Sequence, residues 1–134
     1  MTLTTARYVA AAALVPSDPG DPQVEVLTNL VDSVTPPALM VGWGDPWVVA
    51  EPATIRGKLL RARLTVWAIA GRLETGPGVE YLETLVAYVI DRIEASPYPW
   101  GLPNVSAPRV FPIGNLDYLA AQVAYLAPVT TSED

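Results

Sequence analysis

The side chains that could do acid–base or metal chemistry here are carboxylates, because the sequence contains neither histidine nor cysteine. Disulfides and thiolate metal sites are impossible, and no imidazole is present to move a proton near neutral pH. Glu80, Glu83, Asp91 and Glu94 fall within one predicted helix. Paired acids can share a proton or hold a metal, but these four lie mostly on the polar side of that helix, where carboxylates act as dipole partners and solvated charge. Asp45 and Glu51 sit near a predicted strand turn with Lys58 the nearest lysine, in no metal-ligand spacing. Ser17, Ser33, Ser96, Ser106 and Ser132 fall in loops or at helix ends, and no GxSxG surrounds any of them. Gly42-Trp43-Gly44 and Gly76-Pro77-Gly78 lack the GxGxxG and GxxxxGK[ST] spacings, and nearby prolines remove amide donors that a phosphate would need. Both read as turns. The expectation is a protein that is not an enzyme, with no catalytic residue, cofactor or metal.

Interaction chemistry is better represented. Trp43, Trp47 and Trp100 lie in proline- and glycine-rich stretches, and the first two are expected to cap the edges of the core. Trp67 lies on the same strand face as Leu59, Arg61, Arg63 and Ile69. These five, with Trp100, are the candidate protein-interface residues, the arginines holding acidic partners or stacking on aromatic rings. The alternative is that a second helix of the same chain covers that face. On the interface reading, replacing Trp67 and Arg63 together weakens assembly and leaves the fold intact.

The elements that must position these residues follow from periodicity. Met1 to Val15 is alanine-rich and fits a short helix or an extended arm, and Pro16 to Pro22 reads as a linker. Residues 1–20 are thus an arm and linker, 21–129 one domain, and 130–134 a disordered tail. Asp21-Pro22 looks like a helix start, followed by Val24, Leu27, Leu30, Val31 and Val34 at spacings of three and four. Ala38–Val41 and Trp47–Ala50 are short strands around a Gly42–Pro46 turn. From about Ile55 to Ala70, Leu60, Ala62, Leu64, Val66, Ala68 and Ala70 alternate with the arginine-bearing face, the clearest strand in the chain. A second helix carries Leu82, Leu85, Val86, Val89, Ile90 and Ile93 on one stripe. Gly114-Asn115 suits a two-residue hairpin turn between Arg109–Ile113 and Leu116–Val129. The predicted class is α+β: an antiparallel or mixed sheet with two helices packed on one face, in the order helix, strands, helix, hairpin.

The 134 residues suit a single domain, and 51% hydrophobic against 16% charged is too apolar for a disordered chain. A mean hydropathy of +0.29 is high for a small soluble monomer, so part of the apolar surface is expected to be covered by neighbours. The longest apolar run, Tyr8 to Val15, is well short of the roughly 20 residues of a membrane span. Arg7 before that run resembles a signal-peptide start, but one positive charge and the Pro16-Ser17-Asp18-Pro19 exit fit it poorly. A net charge of −6 argues against a nonspecific nucleic-acid face, and it suits a surface past which DNA slides.

Three stretches carry a family resemblance: PPALMVGWGDPWVV (Pro36 to Val49), AIAGRLETGPGVEYLETLVAYVIDRI (Ala68 to Ile93) and YPWGLPNVSAPRVFPIGNLDYLAAQVAYLAPV (Tyr98 to Val129). They are similar to tail terminator proteins of long, non-contractile-tailed bacteriophages, those infecting actinobacteria in particular. The fit spans roughly Asp21 to Val129. The resemblance implies a virion protein assembled in the host cytoplasm into a hexameric ring at the tail–neck junction. Its partners would be the tail tube protein and the head-side connector, with genomic DNA only passing through the lumen and no membrane involved. It carries over no catalytic residue. A head-completion or stopper protein of the neck, and a monomeric ligand-binding or regulatory domain, are the alternatives.

Overall fold

A computed structural model describes residues 1–29, 31, 33–52, 58–73 and 78–131, with the backbone alone at 51, 52, 58 and 59. The chain is α+β. Helix α1 (Leu3–Leu14) precedes strands β1 (Glu25–Leu27), β2 (Ala38–Pro52) and β3 (Lys58–Arg72). Helix α2 (Val79–Ala95) is followed by β4 (Asn104–Val105), β5 (Arg109–Ile113) and β6 (Leu116–Val129). The sheet order is β1-β2-β3-β6-β4, with β5 also on β6. β1 runs parallel to β2 and every other pairing is antiparallel, so the sheet is mixed.

Strand β3 is the centre because its alternation fits both neighbours. Leu64, Val66 and Ala68 point to one face with Leu39 and Val41 of β2 and Ala121, Val123 and Tyr125 of β6. Both helices cover this face: Ala10 and Leu14 of α1 and Leu82, Leu85, Val89 and Ile93 of α2 are all at most 1% exposed. Each such leucine, valine or isoleucine side chain contributes about 1.5–3 kcal/mol on leaving water. Gly114, at φ 62°, makes the tight turn at which Ile113 and Leu116 pair, as the Gly114-Asn115 dipeptide predicts.

Three expectations are corrected, and of the two readings of the alanine-rich start the helical one holds. The apolar spacing from Val24 to Val34 is not a helix: it becomes β1 and a link that lays Val31 and Val34 over the second sheet face. Leu30 lies outside the described residues. Asp21 is not a helix cap; its carboxylate accepts the N–H groups of Ser17 and Asp18 at 3.0 Å each and lies 3.6 Å from Arg92. Those N–H groups, with Arg92 behind them, hold its carboxyl below the usual aspartate range. The alanine-rich start is the first helix, capped by Thr2 Oγ1 accepting from Thr5 N, and its Ala6, Ala10 and Leu14 are fully buried. Ala10, Ala11 and Leu14 share the core of the sheet and α2. Finally, Gly42–Pro46 does not turn the chain between two strands. Both halves of β2 pair with β3, and Gly44, Asp45, Pro46 and Trp47 together oppose Arg63 in a wide bulge. At the C-terminus, Thr130 N donates to Met1 O at 2.8 Å, so this first residue of the expected tail is tied down. Residues 132–134, and residues 74–77 of the predicted Gly76-Pro77-Gly78 turn, lie outside the described residues.

Tyr125 sits under α2 with its hydroxyl buried and without a hydrogen-bond partner among the described residues. Burial, with the charges of Glu94 and Asp91, pushes its pKa up to about 12. The neutral form is therefore favoured in the fold. That contribution is intact below the ordinary tyrosine value near pH 10 and is lost as pH rises toward the folded value. Tyr125→Phe is expected to raise stability at neutral pH by about 1 kcal/mol, by removing an unpaired buried hydroxyl. It should also blunt alkaline unfolding; urea melts at pH 7 and pH 11 measure both.

Candidate functional site

The second face of the sheet is divided. Toward one end, Met40, Trp67, Ile69, Ile113, Tyr118 and Ala120 form a cluster roofed by Leu27, Val31, Val34 and Phe111. Trp67 stacks on Phe111 with ring centroids 6.4 Å apart, and Tyr118 Oη donates to Val34 O at 3.5 Å. Toward the other end nothing described roofs the sheet. Along β6, residues 121, 123, 125, 127 and 129 are buried under the helices, whereas Gln122, Ala124, Leu126 and Pro128 on the reverse are half-exposed. Arg61 and Arg63 share that open half, paired in register with Pro128 and Leu126.

The bulge of β2 fixes the arginine. A Cβ on Gly44 would come within 2.6 Å of Arg63 Cδ and 2.7 Å of Thr65 Oγ1. The missing side chain at Gly44 lets the bulge lie against the arginine stem. Arg63 Nε and Thr65 Oγ1 are both buried there without a hydrogen-bond partner among the described residues. Buried polar atoms left unpaired cost stability.

Two of the clefts elsewhere are lined by tryptophans or α2 residues singled out above. One, of about 630 Å³, is walled by Trp43 and Trp47 of the bulge and by Leu3 and Arg7 of α1. The two indoles stack at 6.1 Å, and Arg7 donates to Thr28 O and Asn29 Oδ1. The other, of about 270 Å³, is an apolar groove between Leu82, Val86 and Ile90 of α2 and Val105 and Pro108 at the sheet edge. On the outer surface of α2, Glu80, Glu83, Asp91 and Glu94 are all exposed. No group of three or more acids is arranged to hold a metal, and no helix is long and apolar enough to cross a membrane, among the described residues.

The six candidate interface residues therefore do not form one patch. Arg61 and Arg63 share the open half-face. Trp67 and Ile69 are on the same side but are 8% and 0% exposed, sealed by the chain itself. Their cover is the β1–β2 link and β5, not a second helix. Trp100 lies on the helix side, against Tyr98 at 4.6 Å and Tyr125 at 6.4 Å. The side chain of Leu59 lies outside the described residues. What sequence reasoning missed is the cover on Trp67: the apolar residues from Leu27 to Val34 carry the signal, but their helical spacing disguises it.

No protein-family model matches the chain, and no curated protein matches it.

Proposed function

We propose that this protein is a structural subunit, the tail terminator of a long, non-contractile phage tail, capping the head-proximal end of the tube and joining it to the head-side connector. The observation that carries the reading is the half-open sheet face: Trp67 and Ile69 are sealed within the chain, whereas Arg63, Gln122, Ala124, Leu126 and Pro128 on the same face stay half-exposed among the described residues. The resemblance over Asp21 to Val129 supports it. In this mechanism each subunit meets the next heterologously, and closure of the rotation makes a ring, not a filament. One ring face mimics the tube's own contacts, and the other lacks them, so growth stops. The acidic balance, −6 overall, keeps DNA from adhering as it passes; a ring with a basic lumen overturns that part.

Electron microscopy of particles assembled without the protein tests the assignment. Overlong or ragged tails support a terminator. Normal free tails beside unjoined heads point instead to a stopper. The cleft beside Trp43 and Trp47 favours a second reading, a monomeric ligand-binding domain. That reading requires a chain of single-subunit mass whose tryptophan fluorescence responds to a small ligand.

A further inference from the structure

We propose that the loop tip bearing Leu102 of one copy seats in the cleft beside Trp43 and Trp47 of the next copy. This rests on the reading of the chain as a self-assembling subunit, and it gives the cleft to a sister copy and not to a small ligand. Leu102 and Trp47 are the two most exposed large apolar side chains among the described residues, at 90% and 53%. The tip is built to present the leucine. Gly101 N donates to Leu126 O at 2.8 Å, and a Cβ on Gly101 would come within 2.9 Å of that oxygen. The backbone there lies against β6, and Leu102 stands clear of it. Pro99 and Pro103 restrict the chain on either side. From Pro97 to Pro108 no residue is charged, so burying the tip desolvates no ion.

The cleft matches the tip in chemistry and in position. Its volume of about 630 Å³ has room for a leucine with a proline beside it. Its wall of two stacked indoles is the kind of surface on which proline-rich segments pack. No acid lines it among the described residues, and Arg7 at its rim is already held by Thr28 O and Asn29 Oδ1, so an apolar tip leaves that cation hydrogen-bonded. Trp43 pairs in register with Leu64, Leu64 pairs with Tyr125, and Gly101 is bonded to the next residue, Leu126. Cleft and tip therefore stand at the same level along the strands, at opposite edges of the sheet. Both are on the helix side, since Trp43 and Trp100 pack on the same cluster of Ala6, Ala62 and Val129. β1 reaches only Ala38–Met40, so the β2 edge beside Trp43 is open among the described residues. Three strand spacings, roughly 14 Å, separate the two surfaces, so a subunit does not fill its own cleft. A contact between opposite edges is heterologous, and a series of them ends only where the rotation closes.

Two variants test this by mass in sedimentation, at a concentration where the natural chain is assembled. Leu102→Glu spoils the tip, and Trp47→Glu spoils the cleft. Both side chains are exposed in the single subunit, so the urea midpoint should stay near the natural value. Each variant alone is expected to associate more weakly by on the order of tenfold or more, and to run as single subunits. Mixed, they should form a two-subunit complex and stop, because the intact cleft of the first takes the intact tip of the second. Should Trp47→Glu fail to fold, Thr4→Glu on the exposed rim of the cleft replaces it. Variants that assemble like the natural chain, or a mixture that stays monomeric, overturn the docking pair. So does a natural assembly that added salt disperses, because an apolar contact resists screening. A natural chain that is monomeric yet caps tail tubes also overturns it, while leaving the terminator reading intact. A chain that neither associates nor caps tubes overturns both.

Discussion

Trp67→Ala is expected to lower the unfolding free energy by about 3–5 kcal/mol, a large part of what a domain of this size possesses. The indole is 8% exposed, stacks on Phe111 and packs with Met40, Ile69 and the Val31–Val34 link. Deleting it leaves a cavity under the link. The loss should appear as a shift of the urea midpoint with an unchanged slope. Arg63→Ala, on the same strand face but half-exposed, should cost much less stability than this and act on association. The contrast separates two residues that the sequence groups together. A folded Trp67→Ala chain of native midpoint that no longer assembles would return the indole to an intermolecular surface.

Arg92→Ala should be the next most costly change, at about 2–3 kcal/mol from charged hydrogen bonds and a helix terminus left uncapped. The guanidinium reaches across from α2 to the end of α1, donating to Ala13 O, Val15 O and Ser17 Oγ, and it lies over the Tyr88 ring at 5.6 Å. Tyr88 Oη adds a 2.7 Å bond to Leu14 O. Together they satisfy carbonyls that α1 cannot pair internally. Lysine at this position recovers only part of the loss, because an ammonium cannot span the three acceptors as a planar fork does. Hydrogen exchange should show α1 opening first in Arg92→Ala. Uniform protection across α1 and the sheet would contradict this role.

Several elements were legible because their environment is the one periodicity assumes. β3 alternates since one of its faces is helix-covered along its length, and α2 shows a 3.6-residue stripe since a single side meets the sheet. The Gly114-Asn115 hairpin needs only local turn chemistry. The segment from Val24 to Val34 misled for a physical reason: spacings of three and four also arise when an irregular link drops side chains onto a sheet. The bulge in β2 misled similarly, because Gly42, Gly44 and Pro46 are turn residues, yet the pairing partner on both sides is the same strand.

By itself the sequence determined the fold class, the face of β3 that enters the helix-covered core, and the absence of imidazole and thiol chemistry, since these depend on residue type and local spacing. Only the tertiary structure decided that Trp67 and Ile69 are sealed while Arg61 and Arg63 stay on an open surface. All four occupy one face of one strand, and what separates them is the reach of a link and a short strand from elsewhere in the chain. Where that cover stops is set by how the chain returns over the sheet, a distance that no local pattern encodes.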